Sequence, residues 1–312
     1  MKKSLIIGGA GFVGHYLGRY LRQELQQEVF VTKMPQETFE EEQIKVLDLN
    51  ILNPEEIAKV IREVQPDYVF HLAAQSSVAA SWKNPGLTID VNVKGAVNVL
   101  EGLRSMERQP RILLIGSGEE YGHLKADEVP VKEETLLRPG NIYAATKSCQ
   151  NMLGKIYAQA YGMQVVMVRA FNHIGPNQSP VFVVADFCRQ VAEIERGKRE
   201  PVIHVGNLSA RRDFTDVRDV VRAYALLAEH GTAGETYNVG SGQARAIDEI
   251  LHMILQESEV PIEVKVDPER LRPVDVPVIE ADITKLQKLT GWKPEIALTQ
   301  TIRETMDYWR EQ

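Results

Sequence analysis

Near its start the chain reads Ser4-Leu5-Ile6-Ile7-Gly8-Gly9-Ala10-Gly11-Phe12-Val13-Gly14, and this stretch decides the fold. The apolar residues before Gly8 are typical of a buried strand, and an amphipathic segment follows from Phe12 to Gln26. Glycine tolerates the positive φ of a tight turn and lets a phosphate approach the backbone. A glycine-rich turn between the first strand and the first helix therefore predicts a dinucleotide site, with the pyrophosphate at the helix N-terminus.

The alternation of strand and helix continues through the first half of the chain. Apolar strand-like runs recur at residues 29–32, 45–47, 68–72, 112–115 and 165–170, and amphipathic segments separate most of them. Parallel strands need such long connections, and runs without a polar face indicate that helices cover both faces of the sheet. The prediction is an α/β protein with a doubly wound parallel sheet, the Rossmann arrangement.

The second half of the chain is less regular. Residues 172–180 are rich in Asn, Gly, Pro and Ser and are predicted to form a loop, and a helix is expected over 182–196. Asp216 is a candidate N-cap for a further helix, and a core strand is expected at 237–239. We therefore predict a cofactor-binding domain and a smaller C-terminal α/β layer that binds the substrate. The cofactor-binding domain is expected to comprise residues 1–170 plus about 216–239. The substrate-binding layer is expected to comprise about 171–215 plus 240–312.

Composition narrows the class of protein. The 312 residues are 44% hydrophobic and 25% charged, as is usual for a soluble globular protein. The net charge of -7 disfavours binding to nucleic acid by counterion release, and no apolar run is long enough to span a bilayer. Glycines follow Met1 too early for a signal peptide, and Cys149 and Cys188 alone predict neither a disulfide framework nor a metal site. The expectation is a cytoplasmic protein without nucleic-acid, membrane or metal partners.

The end of the second predicted strand indicates which dinucleotide is bound. NAD-specific sites often place a carboxylate there for the ribose 2′-hydroxyl, but this strand ends in Thr32-Lys33. A hydroxyl and a cation suit a 2′-phosphate, so NADP(H) is predicted over NAD(H). The fourth strand ends in Leu72-Ala73-Ala74, where small residues let a cofactor lie against the strand edge.

A candidate catalytic set follows from the residues downstream. Tyr143 and Lys147 are four residues apart in a predicted helix and therefore share one face. A nearby ammonium lowers the pKa of a phenol, so Tyr143 could exchange a proton with an oxygen next to the hydride centre. The fifth strand ends at Ser117, whose hydroxyl can hydrogen-bond the same substrate oxygen.

These motifs together resemble the extended short-chain dehydrogenase/reductase family. The resemblance rests on the G-x-x-G-x-x-G spacing, the Tyr143–Lys147 pair and the S-x-x-x-Y-G pattern over Ser117–Gly122, and it covers essentially the whole chain. It implies that Asp48 and Leu49 contact adenine, although Asp48 could equally be a turn or N-cap residue. The predicted cofactor-binding residues are Gly8, Gly11, Phe12, Val13, Gly14, Thr32, Lys33, Asp48, Leu49, Leu72, Ala73, Ala74, Tyr143 and Lys147.

Further segments resemble the nucleotide-sugar branch of this family. Residues 169–176 match R-x-F-N-x-x-G-P, and 206–214, 272–276 and 291–294 resemble segments of the enzymes that act on GDP-mannose derivatives. This resemblance implies a GDP-linked deoxyhexose substrate and NADPH-dependent reduction of the C4 ketone of GDP-4-keto-6-deoxy-D-mannose to GDP-D-rhamnose. The implied substrate-binding residues are Ser117, Asn172, Val183, Asp186, Arg212 and Arg272.

The charged members of that set have physical roles to test. The resemblance implies that Arg212 and Arg272 hold the diphosphate. Guanidinium groups form bidentate hydrogen bonds with phosphate, which agrees with this role. Arg212 could instead form an ion pair with Asp213 or Asp216. Asp186 could accept from the N1–H and N2–H₂ edge of guanine, or could be a solvated or N-terminal helix carboxylate favoured by the helix dipole.

Alternative functions remain open at this stage. Glu119 lies two residues before Tyr121, where GDP-mannose 4,6-dehydratases carry a catalytic glutamate, so a dehydratase is the main alternative. Against it, Ser117-Gly118 replaces the Thr-Ser of dehydratases, and Phe12-Val13 replaces their Gln-Asp. An epimerase or reductase of another nucleotide sugar, or a binding protein without catalysis, would also fit the fold. The family further implies a homodimer, built from helices at 86–106 and 143–161 as a four-helix bundle.

Overall fold

The computed structural model describes residues 1–270 and 276–312. Its strands are β1 (Lys3–Ile7), β2 (Glu28–Lys33), β3 (Lys45–Asp48), β4 (Tyr68–His71), β5 (Arg111–Ser117), β6 (Gln164–Ala170), β7 (Asn172–Ile174), β8 (Val202–Val205), β9 (Arg211–Asp216), β10 (Thr236–Val239), β11 (Ala244–Ala246), β12 (Glu263–Val266) and β13 (Val278–Ile279). Its helices are α1 (Phe12–Gln23), α2 (Pro54–Val64), α3 (Val78–Lys83), α4 (Pro85–Ile89), α5 (Gly95–Arg104), α6 (Ile142–Tyr161), α7 (Val183–Glu195), α8 (Val217–His230), α9 (Ile247–Gln256), α10 (Thr284–Thr290) and α11 (Leu298–Glu311). A π-helical turn, Asp90–Lys94, joins α4 to α5, and a 3-10 helix, Gly118–Tyr121, follows β5.

Within the described residues, seven parallel strands form the central sheet in the order β10-β6-β5-β4-β1-β2-β3. The chain moves outward from β1 through β2 to β3, then returns to the other side of β1 at β4. The order of the strands therefore reverses between β1 and β4, and in open α/β sheets ligands bind at such a point, beyond the carboxyl ends of the strands. The predicted doubly wound sheet is confirmed.

Both faces of this sheet are buried, as the continuous apolar runs predicted. Ile6 belongs to a core cluster on the face that packs against α1, α8 and α10, whereas Leu5 and Ile7 belong to a second cluster on the face covered by α2, α5 and α6. Side chains alternate between the faces of a strand, so the inner strands meet a helix layer on both sides, whereas the edge strand β3 is largely exposed. Burial on both sides makes the sheet a rigid support for groups at its edge.

The second half of the chain adds a smaller layer with its own core. The strand β9 is central to it and pairs with β7, β11 and β13, while β12 pairs with β8. The loop predicted over 172–180 is wrong at its start, because Asn172–Ile174 form β7 beside β9. The polar and glycine-rich composition of this segment did not indicate a strand. Its pairing partner β9 lies about forty residues further along the chain, so the pairing is not a local pattern.

Two predictions for this half are confirmed in detail. Asp216 caps α8, since its Oδ1 accepts from the backbone N–H of Arg218 at 2.8 Å. The strand β10 returns to the main sheet and pairs with β6. The division of the chain into two binding domains stays a prediction. In the part of the chain that the structure describes, no helix combines the length and apolar character needed to cross a membrane.

Candidate active site

The glycine-rich turn joins β1 to α1 at the carboxyl edge of the sheet. Gly8 has φ +79°, which a residue with a side chain rarely adopts, and Gly11 is the N-cap of α1 with no side-chain cap. The N–H groups of the first helical turn are therefore free of a side-chain acceptor and point toward an anion site. Leu72 and Ala73 lie beside this turn, since their N–H groups donate to the carbonyl of Ile7 at 2.9 and 2.8 Å.

The space around the glycines differs between Gly11 and Gly14. A Cβ at Gly14 would overlap the carbonyl oxygen of Gly9, so this glycine is required by packing of the protein itself. A Cβ at Gly11, whose φ is -77°, would meet only the carbonyl oxygen of Gly8, at 3.8 Å. The protein has room for a side chain at Gly11 and carries none, as expected where a pyrophosphate approaches the backbone.

This difference gives a prediction with an internal control. Gly11→Ala should leave the unfolding temperature unchanged but raise the Kd for NADPH about 100-fold, because the methyl group displaces charged phosphate hydrogen bonds. Gly14→Ala should instead lower the stability of the protein by about 1–3 kcal/mol through overpacking. Thermal unfolding and NADPH fluorescence titration measure the two effects. Unchanged NADPH affinity in Gly11→Ala would show that the dinucleotide lies elsewhere.

The end of β2 differs in one respect from the prediction. Thr32 is buried, and its hydroxyl accepts from the backbone N–H of Gly8 at 3.1 Å, so it braces the glycine turn rather than facing a 2′-phosphate. Successive residues of a strand point to opposite sides, which separates Thr32 from Lys33. The Lys33 ammonium contacts Asp48 on β3, with Nζ 2.7 Å from Oδ1. Lys33 and Asp48, predicted for separate parts of the cofactor, are thus one ion pair.

The three predicted catalytic residues meet at the end of β5. Tyr143 and Lys147 are buried on α6, which packs against β5 and β6. The Ser117 hydroxyl lies close to the Tyr143 phenol and accepts from the backbone N–H of Glu119 at 3.2 Å. The Lys147 ammonium donates to the carbonyl of Ile115, 2.7 Å away, and to Oε1 of Gln150 at 3.2 Å. The helix is thereby attached to the strand that carries Ser117.

The electrostatics of this set differ from the expectation. The sequence predicted that Lys147 would lower the pKa of the Tyr143 phenol, but in the structure burial raises that pKa above its ordinary value, against a smaller opposing effect of the nearby Ser117 hydroxyl. Burial also lowers the pKa of Lys147 to about 8, which the charge of Glu120 opposes. Tyr143 is therefore protonated at neutral pH and is suited to donate a proton.

A cleft of about 220 Å³ opens beside Ser117. It lies between the end of β5 and the smaller layer, and its lining residues are Ser117, Gly118, Glu119, Ala170, Phe171, Asn172, Arg212, Asp213 and Ile279. Glu119 is half-buried, and its Oε2 accepts from the amide of Asn141 at 3.2 Å. The cleft brings together two of the predicted substrate residues, Asn172 and Arg212, with the predicted catalytic serine.

The remaining predicted substrate residues are placed differently. Asp186 is buried in the first turn of α7, where its carboxylate accepts from Arg189 at 2.9 Å, Gln190 at 2.7 Å and Arg270 at 2.5 Å. Asp186 is therefore the N-terminal helix carboxylate of the alternative interpretation, but it is buried and not solvated. Recognition of guanine stays a prediction. Val183 begins α7 and is half-buried, and Arg272 lies outside the described residues.

Arg212 and Asp213 lie side by side in β9 with separate contacts. The Arg212 guanidinium donates to the carbonyls of Arg211, 2.9 Å away, and Val276, 2.7 Å away. Asp213 is buried and accepts from the Ser241 hydroxyl at 2.6 Å and the Gly242 N–H at 2.9 Å. Burial raises the pKa of Asp213, although these hydrogen bonds oppose the shift. Asp213 thus fixes the turn after β10 at the wall of the cleft.

Sequence reasoning missed several buried polar residues behind the cleft. Asn92 lies in the π-helical turn, where its amide donates to the Thr146 hydroxyl at 3.0 Å and so reaches α6. Glu120, Asn151 and Arg169 form a connected group beneath Ser117. One signal was available for Asn151, since the spacing 143, 147, 151 puts it on the same face of α6 as the Tyr–Lys pair.

The chain is similar in sequence and in fold to several known proteins. The chain is 35% identical over 260 residues to GDP-6-deoxy-D-mannose reductase of Pseudomonas aeruginosa, covering 83% of this chain and 85% of that protein. The structure of RMD from Pseudomonas aeruginosa complexed with NADPH superposes with a TM-score of 0.87 and 31% identity over 100% of this chain and 99% of that chain. The UDP-glucose 4-epimerase of Thermus thermophilus in complex with NAD gives a TM-score of 0.89 and 28% identity over 99% of each chain.

The fold and site therefore define an NAD(P)-dependent oxidoreductase of the extended short-chain dehydrogenase/reductase family, nucleotide-sugar branch. Within it, residues 5–305 match the family model described as GDP-mannose 4,6 dehydratase. The chain belongs to this family, whose members similar to it include both reductases and dehydratases.

Proposed function

We propose that the chain reduces the C4 ketone of GDP-4-keto-6-deoxy-D-mannose to GDP-D-rhamnose, with NADPH as the reductant. The position of Ser117 at the wall of the cleft, close to the buried and protonated Tyr143 phenol, carries this proposal. The 35% identity to a GDP-6-deoxy-D-mannose reductase favours this substrate over other nucleotide sugars.

The residues take the following roles in the proposal. A bound nicotinamide dinucleotide supplies the hydride for the ketone carbon. Ser117 hydrogen-bonds the ketone oxygen and orients it, and Tyr143 donates its proton to that oxygen as negative charge develops. Lys147 supplies a positive charge at the base of the site, held by Ile115 and Gln150. Asn172 and Arg212, which line the cleft, are the proposed contacts to the sugar and the diphosphate. Val183 and Arg272 are proposed as substrate contacts from the family resemblance alone.

One pair of incubations tests the reaction. With GDP-4-keto-6-deoxymannose and NADPH, nicotinamide absorbance should fall in a one-to-one ratio with substrate, and the product should be GDP-rhamnose. With GDP-mannose alone no conversion is expected. Loss of GDP-mannose without net change of cofactor would identify a dehydratase instead. If neither substrate reacts, the assignment to GDP-sugars is wrong.

A dehydratase is the second candidate because of one observation. Glu119 lines the cleft and is half-exposed, so its carboxylate is available as a base beside the sugar. Its hydrogen bond from Asn141, the residue that caps α6, also places it close to the helix of Tyr143. Conversion of GDP-mannose that is lost in Glu119→Gln would establish this candidate.

We propose NADP(H) rather than NAD(H), and the proposal rests on Lys33. Lys33→Ala should raise the Kd for NADPH about 10-fold, because one charged phosphate contact is lost, and should leave the Kd for NADH unchanged. Lys45→Ala is the matched control, since Lys45 is a paired cation near the opposite end of the same two strands, with Nζ 2.7 Å from Glu28. Equal losses for both cofactors in Lys33→Ala would remove the argument for a 2′-phosphate contact.

We propose that two chains pair through α4, α5 and α6 as a four-helix bundle. Five large apolar or aromatic side chains are exposed on α4 and α6, which is unusual for a surface left in water: Leu87 at 46%, Ile89 at 50%, Met152 at 56%, Ile156 at 53% and Tyr161 at 54%. Light scattering after size exclusion should therefore give twice the mass of one chain.

Met152→Glu combined with Ile156→Glu should convert this dimer to a folded monomer. Leu289→Glu is the control, because Leu289 is 39% exposed on α10, which packs on the opposite face of the sheet. A monomer in the unmodified protein, or an unchanged dimer in the double variant, would contradict this arrangement.

A further inference from the structure

Glu120 is a fully buried carboxylate directly behind the cleft. It belongs to the same 3-10 helix as Glu119, but Glu119 lines the cleft and Glu120 does not. A carboxylate removed from water costs free energy unless charged and hydrogen-bonding partners surround it. Its contacts therefore show what this charge is used for.

The carboxylate of Glu120 connects three elements. Its Oε1 accepts from the backbone N–H of Ser117 at 2.8 Å and from the Asn151 amide on α6 at 2.6 Å. Its Oε2 accepts from the same amide at 2.7 Å and from Nε of Arg169 on β6 at 3.1 Å. One side chain thus joins the end of β5, the helix that carries Tyr143, and the neighbouring strand.

Gly116 leaves the space that this arrangement needs. A Cβ at Gly116 would overlap both Oε1 of Glu120 and Nδ2 of Asn151. The residue before the catalytic serine is therefore small because the carboxylate and amide occupy the position of its side chain.

Arg169 extends the connection across the sheet. Its Nη1 donates to the Tyr121 hydroxyl at 3.0 Å and to the carbonyl of Glu133 at 2.9 Å. The Tyr121 hydroxyl in turn donates to Oδ1 of Asn238 on β10 at 2.6 Å. The network crosses the carboxyl ends of β5, β6 and β10, and a buried pair of this kind seldom adds stability over apolar packing. The contribution of this network is instead to fix the geometry at the end of β5.

We propose that Glu120 is a positioning residue that holds Ser117 beside the helix that carries Tyr143, by fixing β5 to α6. It acts through the backbone of Ser117 and through Asn151, two helical turns beyond Tyr143 on the same face of α6. This proposal rests on the proposed function, in which Ser117 and Tyr143 handle the ketone oxygen and its proton.

Glu120→Gln tests the role while keeping the size of the side chain. An amide has one oxygen and one NH₂ group, so it cannot accept from Ser117, Asn151 and Arg169 together. We expect kcat to fall about 10- to 100-fold with KM and the Kd for NADPH unchanged, as for a misplaced catalytic group. A proportional rise of KM, or an unchanged kcat, would overturn the proposal.

Coupling to Ser117 separates positioning from general loss of structure. If Glu120 acts through Ser117, adding Glu120→Gln to a Ser117→Ala variant should lower kcat by less than about 3-fold. The reason is that the hydroxyl that Glu120 positions is already absent. Multiplicative losses would overturn the proposal. Glu195→Gln is the matched control, since Glu195 is a half-buried carboxylate paired with an arginine, Arg310, at 2.9 Å, but lies at the end of α7 away from the cleft. It should leave kcat unchanged.

Two further measurements keep the test independent of substrate and folding. A crystal structure of Glu120→Gln should show the Ser117 hydroxyl displaced from the Tyr143 phenol, and an undisplaced hydroxyl would overturn the proposal even if the GDP-sugar assignment fails. If Glu120→Gln does not fold, Asn151→Ala removes only the α6 arm and should show the same fall in kcat and the same coupling to Ser117→Ala. If Asn151→Ala shows neither the fall in kcat nor the coupling to Ser117→Ala, the proposal is also overturned.

Discussion

Replacing Tyr143 by phenylalanine is expected to lower kcat about 10³-fold, the usual contribution of a positioned general acid. The change removes one oxygen atom from a buried ring and leaves the packing of α6 intact. Burial keeps the phenol protonated, so the lost group is the proton donor itself. The Kd for NADPH should stay within about 3-fold of the unmodified protein, since general acid–base catalysis and cofactor affinity are separable.

Tyr157→Phe provides the control for this experiment. Tyr157 is a buried tyrosine on the same helix, and its hydroxyl donates to Oε1 of Glu101 on α5 at 2.6 Å, away from the cleft. Its removal should leave kcat unchanged. Steady-state rates and NADPH titration of both variants test whether Tyr143 is the proton donor. Normal turnover in Tyr143→Phe would refute this assignment.

Lys147→Met is expected to change activity and stability in opposite directions. Loss of the cation at the base of the site should lower kcat about 10²-fold. This is the lower end of the rate contributions made by groups that assist proton transfer. Burial lowers the pKa of Lys147 from 10.5 to about 8, so the folded protein disfavours the charged form by about 3 kcal/mol at neutral pH.

Methionine removes that penalty at similar side-chain volume. It also removes the two hydrogen bonds to Ile115 and Gln150, each contributing about 1 kcal/mol, so the net gain in stability should be about 1 kcal/mol. Chemical denaturation measures the free energy of unfolding, and NADPH consumption measures the rate. A Lys147→Met variant that is less stable than the unmodified protein would show that the buried ammonium is well compensated.

The pH dependence follows from the same shift. The unfolded chain binds more protons than the folded protein between pH about 8 and 10.5, so the penalty from Lys147 is full below pH 8 and is relieved as the pH rises through this window. Activity should follow the opposite course, with kcat/KM falling as Lys147 loses its charge above pH about 8.

The strand–turn–helix pattern and the spacing of the catalytic residues were predictable because they are local. Gly8 and Gly11 stand where the chain must turn tightly, and Tyr143 and Lys147 share a face because they lie one helical turn apart. The continuous apolar strands predicted helices on both faces, and that arrangement brings the ends of β1, β4 and β5 to one edge.

Contacts between distant parts of the chain could only come from the tertiary structure. The pairing of β2 with β3 joins Lys33 to Asp48, and the position of Thr32 beneath Gly8 removes it from the predicted phosphate site. Burial reverses the expected direction of the Tyr143 pKa shift, and burial depends on every element packed around α6.

By itself, then, the sequence determined the dinucleotide-type sheet and the candidate Ser117, Tyr143 and Lys147, since each follows from periodicity or from a short motif. Only the tertiary structure decided how these groups are held. The buried carboxylate of Glu120 reaches Asn151 and Arg169, which are 31 and 49 residues away in the chain. No local pattern records such distances, because a hydrogen-bond network forms wherever folding happens to bring its donors and acceptors together.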